Sequence, residues 1–363
     1  MSETTLDDLL APEMERVEEM LRAATGHVEG QIAAPASHLA EAGGKRLRPM
    51  LALLGAQLGT GVNEEVRQAA VAVELTHLAT LYHDDVMDSA PLRRGALAAH
   101  QVWGNSVAIL TGDLLFARAS RIVAELGPEA VKLHAVTFER LCLGQLHETM
   151  GPLEGVDAVE HYIDVLADKT GSLIAASARY GAMFADSDPA YVVVMERFGE
   201  KVGIAFQLAD DVIDLESDSA VTGKTPGTDL REGVDTMPIL LLRVAAEAGT
   251  LDEAGREILA RLDGTGAADG EGASTRPAED AAALGAGDSK VRRGAAIRRD
   301  SLQRDDALAA VVEALRVHPV LEQAREMARS WAADAVAELE SLPAGEVRKS
   351  LYDFADALVD RLA

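Results

Sequence analysis

The sequence is poor in cysteine, in aromatic residues, in positive charge and in long apolar runs. One cysteine among 363 residues excludes an intrachain disulfide, and we expect Cys142, in the apolar run LCLGQL, to be a buried core thiol. The net charge of −26 disfavours a nucleic-acid partner. No apolar run approaches the roughly 18 residues of a membrane span, and the acidic start MSETTLDDLL lacks a signal-peptide pattern. These shortages predict a cytoplasmic protein without a transmembrane segment.

Alanine, leucine and valine are abundant instead, and 48% of the residues are hydrophobic while only 4% are aromatic. Because alanine and leucine favour helices, the composition predicts an all-α fold. The length suffices for one large domain or two ordinary ones, and we expect a single domain over residues 1–363. Periodic patterns predict helices at about 8–42, 46–58, 64–88, 106–125, 129–150, 157–181, 190–216, 236–262, 304–337 and 345–362.

One stretch departs from this pattern, at about 263–303. It is rich in glycine, alanine, serine and aspartate and has almost no large apolar residues, so it predicts a disordered insertion between two helices. Its basic end leaves open a peripheral contact with an anionic membrane, although a solvated linker is the favoured interpretation.

Two identical D-D-x-x-D pentads are the most informative feature of the sequence. Asp84, Asp85 and Asp88 stand in HDDVMD, and the second pentad holds Asp210, Asp211 and Asp214 in LADDVID. Aspartates at i and i+4 lie on one face of a helix, where two like charges destabilise it unless a cation sits between them. One pentad alone could be a solvated acidic turn. Two copies with apolar neighbours predict a ligand site.

Clusters of carboxylate oxygens suit hard cations, above all Mg²⁺, which often shares its ligands with substrate phosphates. Two such clusters facing one another could hold several Mg²⁺ ions bridged by a diphosphate. Basic residues support an anionic ligand: RRG supplies Arg93 and Arg94 soon after the first pentad, and GGKRLRP supplies Lys45, Arg46 and Arg48 after two glycines. We expect Lys45 and Arg48 to share a helical face. His77 lies two turns before Asp84 on the face of the acids.

Together these segments resemble the trans-type polyprenyl diphosphate synthases. The resemblance spans nearly the whole chain, through GGKRLRP, HDDVMDSAPLRRG, LTGDLLFARAS, DKTGSL, FQLADDVIDL and GKTPGTDLREGVDTMPIL in that order. It implies an all-α isoprenoid synthase fold with antiparallel helices around a central catalytic cavity. It also implies an enzyme that acts as a homodimer.

The resemblance assigns roles to individual residues. It implies that the metal ligands are Asp84, Asp85, Asp88, Asp210, Asp211 and Asp214. It implies that an allylic diphosphate contacts Arg93, Lys169, Thr170, Gln207 and Lys224. It implies that isopentenyl diphosphate contacts Lys45, Arg48, His77 and Arg94. The catalytic set is then Asp84, Asp88, Asp210, Lys169, Thr170 and Arg93.

The implied reaction is a Mg²⁺-dependent head-to-tail condensation. Neutralising the allylic diphosphate allows its C–O bond to ionise, isopentenyl diphosphate attacks the resulting carbocation, and a proton is lost. The family often has a lysine in a DLxEGK stretch, where this sequence reads DLREGV with Val234. One diphosphate contact is therefore absent or replaced.

Product length is expected to depend on Ala79 and Thr80, which lie about one helical turn before Asp84. Bulky aromatics block the growing tail there in short-chain relatives, so small residues predict a medium-to-long product, from hexaprenyl to decaprenyl. In a second interpretation, the tunnel for the growing tail ends further from Asp84, at residues near Leu143 or Leu146, which then form its floor.

Three alternatives stay open on the sequence alone. A class I terpene cyclase ionises the same diphosphates, but its second metal motif usually mixes asparagine, serine or threonine with glutamate. A non-catalytic subunit of a heteromeric synthase usually loses aspartates or basic residues from these motifs. A helical calcium-binding or scaffolding protein would have no use for the basic residues.

Overall fold

The structure is a computed structural model, and it describes residues 6–26, 29–216, 226–264 and 305–359. The described residues fall into two compact units. The first comprises the chain up to Gln207 together with the residues from Ala328 onward, and the second comprises Leu208–Met327. That the chain forms one domain stays a prediction, and nearly all of the expected insertion at 263–303 lies outside the described residues.

Helices dominate the first unit, as the composition predicts. Its helices are α1 (Leu6–Thr25), α2 (Gly30–Glu41), α3 (Leu47–Ala56), α4 (Glu64–Met87), α5 (Ala99–Trp103), α6 (Asn105–Glu125), α7 (Pro128–Met150), α8 (Ala158–Leu166), α9 (Ser172–Phe184), most of α10 (Pro189–Glu216), the end of α15 (Pro319–Glu338) and α16 (Glu346–Val359). A 3₁₀ turn spans Leu339–Ser341, and a π-helical turn, Ala167–Gly171, joins α8 to α9.

The only strands among the described residues are β1 (Leu92–Arg93) and β2 (Ala96–Leu97), which pair in an antiparallel hairpin. The second unit continues from the end of α10. Its further elements are α11 (Thr228–Glu232), α12 (Met237–Glu247), α13 (Glu253–Gly264), a helix α14 over 305–317 and the first part of α15.

The core of the first unit is built from small and aliphatic side chains around α4. Ala69, Ala70, Leu75 and Leu78 of this helix are fully buried, and α4 packs against α1, α3, α6 and α9. Since most residues of α4 are buried on more than one side, its polar residues stand out. These polar residues are the candidates for ligand binding.

Close helix contacts require glycine at several crossings of α4 and α3. A Cβ at Gly181 of α9 would lie 1.9 Å from the carbonyl oxygen of Ala52 in α3, and one at Gly112 of α6 would lie 2.4 Å from Nε2 of His83 in α4. Backbone therefore packs against backbone where α9 meets α3, and against the His83 ring where α6 meets α4, which keeps these helix pairs close together.

Cys142 corrects one expectation, because its side chain is exposed on α7. Its neighbours Leu143 and Leu146 are exposed as well. Within the apolar run LCLGQL, Leu141 is buried, whereas Cys142, Leu143 and Leu146 face outward. An apolar pattern by itself does not distinguish a core face from an interface face. None of the described helices combines the length and apolar character that a membrane crossing needs.

Candidate active site

The first pentad forms the last turn of α4. The Asn63 side chain caps the start of this helix by accepting from the Val66 amide at 2.9 Å, and the helix ends at Asp88, whose amide donates to the Asp84 carbonyl at 2.8 Å. Asp84 is half-buried and Asp88 is exposed. The two carboxylates that the sequence places on one helix face are therefore available at the end of a rigid, buried element.

The carboxyl group of Asp84 lies in an environment that disfavours its charge. Its pKa is raised to about 6, mainly by burial and also by the charges of Asp88 and Glu148, while Lys169 and Arg93 oppose the increase. Burial raises the pKa of Asp88 as well. The nearby lysine and arginine thus compensate these carboxylates only in part, which is the electrostatic condition under which an added cation binds favourably.

Asp85, the next residue after Asp84, is turned away from the face that Asp84 and Asp88 share. It is fully buried, and its Oδ1 accepts from Nε of Arg93 at 2.5 Å, while Oδ2 has no hydrogen-bond partner. Burial raises the pKa of Asp85 even though Arg93 opposes the effect. These contacts favour a role in positioning Arg93 over the direct metal ligation expected for Asp85 from the sequence.

Arg94 follows on the hairpin turn, with a positive φ of 54°. Its Nη1 donates to the carbonyl of Leu39 at 2.9 Å and to that of Gly43. Gly44 has a φ of +152°, and a Cβ there would lie 2.9 Å from Cζ of Arg94. The glycine pair of GGKRLRP therefore makes room for this guanidinium.

The other basic residues gather around Glu74 of α4. Arg48, in the first turn of α3, has a buried Nε without a hydrogen-bond partner, and burial lowers its pKa to about 10. Burial, together with the charges of Arg48 and Arg94, lowers the pKa of His77 well below its ordinary value, so this imidazole is neutral at pH 7. The group is electropositive and has unused donor capacity, which suits an anion.

One local expectation for this group was wrong. Helix α3 begins at Leu47, and Arg46 precedes it in the left-handed region with a φ of 49°. Lys45 therefore lies outside the helix, exposed, and does not share a helical face with Arg48. Its assignment as a substrate contact stays a prediction.

Lys169 and Thr170 lie in the π-helical turn Ala167–Gly171. Single π turns inside helices occur often at functional sites, because the extra residue redirects neighbouring side chains. Nζ of Lys169 donates to Oε2 of Glu148 at 2.5 Å. Although burial lowers it, the pKa of Lys169 is raised overall by Glu148 and Asp84. The ammonium group is thus charged and held beside the first pentad.

The packing of α7 explains how this turn is held. A Cβ at Gly144 would lie 2.8 Å from the amide nitrogen of Lys169, so α7 approaches the π turn at backbone distance. Arg140 of α7 donates to Asp168 at 2.7 Å and to Glu200 at 2.8 Å. The turn that carries Lys169 is therefore fixed from both α7 and α10.

The two expected chain-length positions differ in their surroundings. Ala79 is buried in the core of the first unit, whereas Thr80 is half-buried and donates from its hydroxyl to the His77 carbonyl at 2.9 Å. Thr80 stands four residues before Asp84 and so lies one turn away on the same face. Thr80 is the better candidate for a residue that lines the space below Asp84.

The second pentad stands at the end of α10, in the second unit. Asp211 is buried, and its Oδ2 accepts from the amide of Met237 at 3.2 Å, at the start of α12. Asp214 accepts from the amide of Asp229 at 3.3 Å, and its backbone carbonyl accepts from Gly227 at 3.0 Å. Asp210 is half-buried. As in the first pentad, the second aspartate is the buried one.

Gln207 and Lys224 are the other two residues expected to contact the allylic diphosphate. Gln207 is half-buried and is the last residue of the first unit before the chain enters the second, and Lys224 lies outside the described residues. Val234, which stands where the family often has lysine, donates its amide to the Asp229 carbonyl at 2.9 Å and so continues the turn that ends α11.

Three polar residues of the first unit were not among those expected from the sequence. Glu74 is buried and accepts from Arg46 at 2.9 Å; Glu148 holds Lys169; and Gln145 donates to Glu148 at 3.0 Å. The signal that could have found Glu74 is an acid inside the apolar run AAVAVELTHLA, three residues before His77. Such an acid needs a buried partner.

Within the described ranges, no three histidine, cysteine, aspartate or glutamate side chains are grouped closely enough to hold a metal ion by themselves. The donor set of the first pentad is nevertheless made of oxygens alone, and the raised pKa of Asp84 reflects a carboxylate without full compensation. Both fit a hard divalent cation that takes its other ligands from a substrate or from water.

Comparison with known proteins gives the same family as the sequence motifs. The chain matches the family model described as polyprenyl synthetase over residues 29–259. It is 40% identical over 350 residues to a nonaprenyl diphosphate synthase of Mycobacterium tuberculosis, an alignment covering 95% of this chain and 91% of that protein.

Solved structures agree. A geranylgeranyl pyrophosphate synthase from Corynebacterium glutamicum, complexed with calcium and isoprenyl diphosphate, matches with a TM-score of 0.77 and 37% identity over 99% of this chain and 98% of that one. A polyprenyl synthase from Caulobacter crescentus, complexed with the same two ligands, matches with a TM-score of 0.78 and 30% identity over 99% and 97% of the two chains. The expected isoprenoid synthase fold is confirmed.

Proposed function

Because the chain belongs to the polyprenyl synthetase family and is a prenyltransferase, we propose that it condenses isopentenyl diphosphate head-to-tail with an allylic prenyl diphosphate at the end of α4. The observation that carries this proposal is the surroundings of Asp84. A half-buried carboxylate with a raised pKa lies beside Asp88, Lys169 and Arg93, a combination suited to a metal-bound diphosphate.

The metal proposed is Mg²⁺. Asp84 and Asp88 are its proposed ligands in the first unit, and Asp210 and Asp214 are proposed as cation ligands in the second. The solved relatives that contain calcium and isoprenyl diphosphate support a divalent cation. When bound, Mg²⁺ would supply the Lewis acid that neutralises charge on the leaving diphosphate. Asp85 and Asp211 act beside these ligands by holding Arg93 and the start of α12.

Lys169 and Arg93 donate to the oxygens of the allylic diphosphate, whose charge grows as the C–O bond breaks. Both are preorganised by a carboxylate, Glu148 in one case and Asp85 in the other, so little reorganisation is needed at the moment of reaction. Thr170 offers a hydroxyl dipole close to the forming cation. Gln207 and Lys224 complete the allylic site in this proposal.

Isopentenyl diphosphate is held by the basic group around Glu74. Arg94 and Arg48 supply guanidinium donors, Lys45 supplies an exposed ammonium, and neutral His77 supplies a hydrogen bond. Arg48 has a buried Nε in need of an acceptor, and a diphosphate oxygen would satisfy it. The double bond then attacks the allylic carbon, and the proton lost from isopentenyl diphosphate passes to the departing diphosphate.

We propose a medium-to-long-chain product, in the hexaprenyl-to-decaprenyl range. Thr80 and Ala79 are too small to close the space one turn below Asp84, and each isoprene unit that enters an apolar tunnel gains favourable burial. The relative from Mycobacterium tuberculosis carries a long-chain name, which supports this range. Neither a terpene cyclase nor a non-catalytic subunit is favoured, since the named relatives are prenyl synthases.

We also propose a homodimer formed through α6 and α7. Leu110 of α6 is 64% exposed and Leu146 of α7 is 52% exposed, with Ile109, Leu143 and Met150 also exposed nearby in sequence. An apolar groove of about 530 Å³ lies between the two helices and includes Phe116 and Phe138. Several large apolar side chains exposed along two paired helices are typical of a self-complementary interface.

The decisive experiment incubates the purified protein with Mg²⁺, isopentenyl diphosphate and either farnesyl or geranylgeranyl diphosphate. Chromatography of the dephosphorylated lipids then reports activity and product length together. We expect all-trans products longer than the primer by several isoprene units, formed only when a divalent cation is present. A protein that returns the primer unchanged with every primer and cation would contradict the proposal.

A further inference from the structure

Glu74 is an acid in the middle of α4, ten residues before Asp84, where it is only 2% exposed. Its Oε1 accepts from Nη1 of Arg46 at 2.9 Å. A buried carboxylate that interrupts an apolar helix is costly unless its partner is fixed with good geometry. The partner of Glu74, the guanidinium of Arg46, is accordingly held by several contacts.

Arg46 connects three helices through one guanidinium. Besides Glu74 of α4, it donates from Nε to Glu18 of α1 and from Nη2 to the carbonyl of Ala40, in the last turn of α2, at 2.9 Å. Its Nη1 also reaches the Gly43 carbonyl at 3.4 Å. With two carboxylates already bound, this guanidinium is not available to a substrate anion.

Arg94 binds the same short segment. Its Nη1 donates to the carbonyls of Leu39 and Gly43, so Arg46 and Arg94 share an acceptor at Gly43. Carbonyls at the C-terminal end of a helix attract cations because they lack partners within the helix. Gly44 lies against both side chains, since a Cβ there would be 2.9 Å from Cζ of Arg94 and 3.0 Å from Nη1 of Arg46.

We infer that Arg46 and Glu74 form a positioning pair for Arg94, and thereby for the isopentenyl diphosphate contact. This inference rests on the proposed function. Arg46 fixes the segment 39–44, and the carbonyls of that segment hold one nitrogen of Arg94 so that the other nitrogens are directed at the ligand. Arg48 follows Arg46 by two residues, so the same anchor sets the start of α3.

The test separates the affinity for isopentenyl diphosphate from the rest of catalysis. In Arg46→Gln, we expect KM for isopentenyl diphosphate to rise about tenfold or more, as when one charge-assisted hydrogen bond is misaligned. KM for the allylic substrate and kcat should change less than about twofold, because Lys169 and Arg93 are held by other carboxylates. Arg46→Lys should be intermediate, since an ammonium cannot reach the same set of acceptors.

Two further variants separate an effect on stability from an effect on substrate binding. Arg46→Gln leaves Glu74 buried without its cation, so the double variant Arg46→Gln, Glu74→Gln removes both charges and should recover most of the lost Tm. Arg67→Gln breaks a comparable pair of α1 and α4, in which Nε of Arg67 donates to Glu13 at 2.6 Å. This matched control should lower Tm while leaving KM for isopentenyl diphosphate unchanged.

The outcomes distinguish the hypotheses. A raised KM that persists in the double variant, despite its recovered Tm, supports positioning. If the double variant recovers KM together with Tm, or if Arg67→Gln raises KM equally, the pair is merely structural and the inference fails. If Arg46→Gln does not fold, Arg46→Lys and the double variant give the same decision. A wild-type protein without prenyltransferase activity would instead refute the proposed function, before any variant is compared.

Discussion

Replacing Asp84 by asparagine should stabilise the metal-free protein while abolishing its activity. Burial raises the pKa of Asp84 from 3.8 to about 6, a difference equivalent to about 3 kcal/mol against the ionised form. Because the side chain is half-buried and partly screened by water, we expect about 1–2 kcal/mol to be recovered. This corresponds to an increase in Tm of a few degrees.

The pH dependence of the stabilisation in Asp84→Asn shows whether loss of the carboxylate charge causes it. The folded-state pKa lies above the ordinary value, so the stability that Asp84 contributes is fully present below pH 3.8 and is lost as the pH rises through about 6. The Tm difference between Asp84→Asn and wild type should therefore be largest at about pH 7.5 and shrink towards about pH 4.5.

Thermal unfolding in the presence of a chelator measures the Tm difference at both pH values. Asp353→Asn, an exposed position on α16, is a control that should leave Tm unchanged at either pH. Addition of Mg²⁺ and diphosphate should then raise the Tm of the wild type and much less that of Asp84→Asn. An Asp84→Asn variant that is less stable than wild type at pH 7.5 without metal would refute this account of the site.

Three further predictions concern product length, Arg93 and self-association. Thr80→Tyr should shorten the products seen by chromatography, whereas Ala79→Phe should also lower Tm because Ala79 is buried in the core; unchanged products from folded Thr80→Tyr would refute the assignment of the floor. Asp85→Asn should lower kcat about tenfold or more by releasing Arg93, and steady-state kinetics with unaltered values would contradict this role. Leu146→Glu should convert the dimer to monomer by analytical ultracentrifugation, and a dimer that persists would exclude this interface.

Helix periodicity predicted the scaffold well because the buried faces are long and apolar. The segment expected at 64–88 forms α4 over Glu64–Met87, and that expected at 129–150 forms α7 over Pro128–Met150. The errors are at breaks. The segment expected as one helix at 8–42 forms two, α1 up to Thr25 and α2 from Gly30. The segment 304–337 is interrupted at His318, directly before Pro319, and 236–262 is interrupted near Gly249, whose φ is +69°. Proline and glycine supply the signal in the last two cases.

Other features follow from tertiary contacts that a linear pattern does not contain. The segment 157–181 has continuous helical periodicity, yet it holds a π turn where α7 approaches at Gly144. Cys142 was wrongly expected in the core because the apolar stripe of α7 faces outward. Glu148 and Glu74 act through arginine or lysine partners that come from distant parts of the chain.

In the two pentads, helix periodicity and tertiary contacts together determine which aspartates are buried. Residues i and i+4 of a helix are separated by about 40° around its axis and share a face, whereas residue i+1 is turned by about 100°. Asp84 and Asp88 are accordingly accessible while Asp85 is buried against Arg93. Asp211 is likewise the buried member of its pentad and binds the start of α12. In both pentads the second aspartate is thus an inward carboxylate that holds a neighbouring element, whereas the first and fifth aspartates are more accessible and are the ones that we propose as metal ligands.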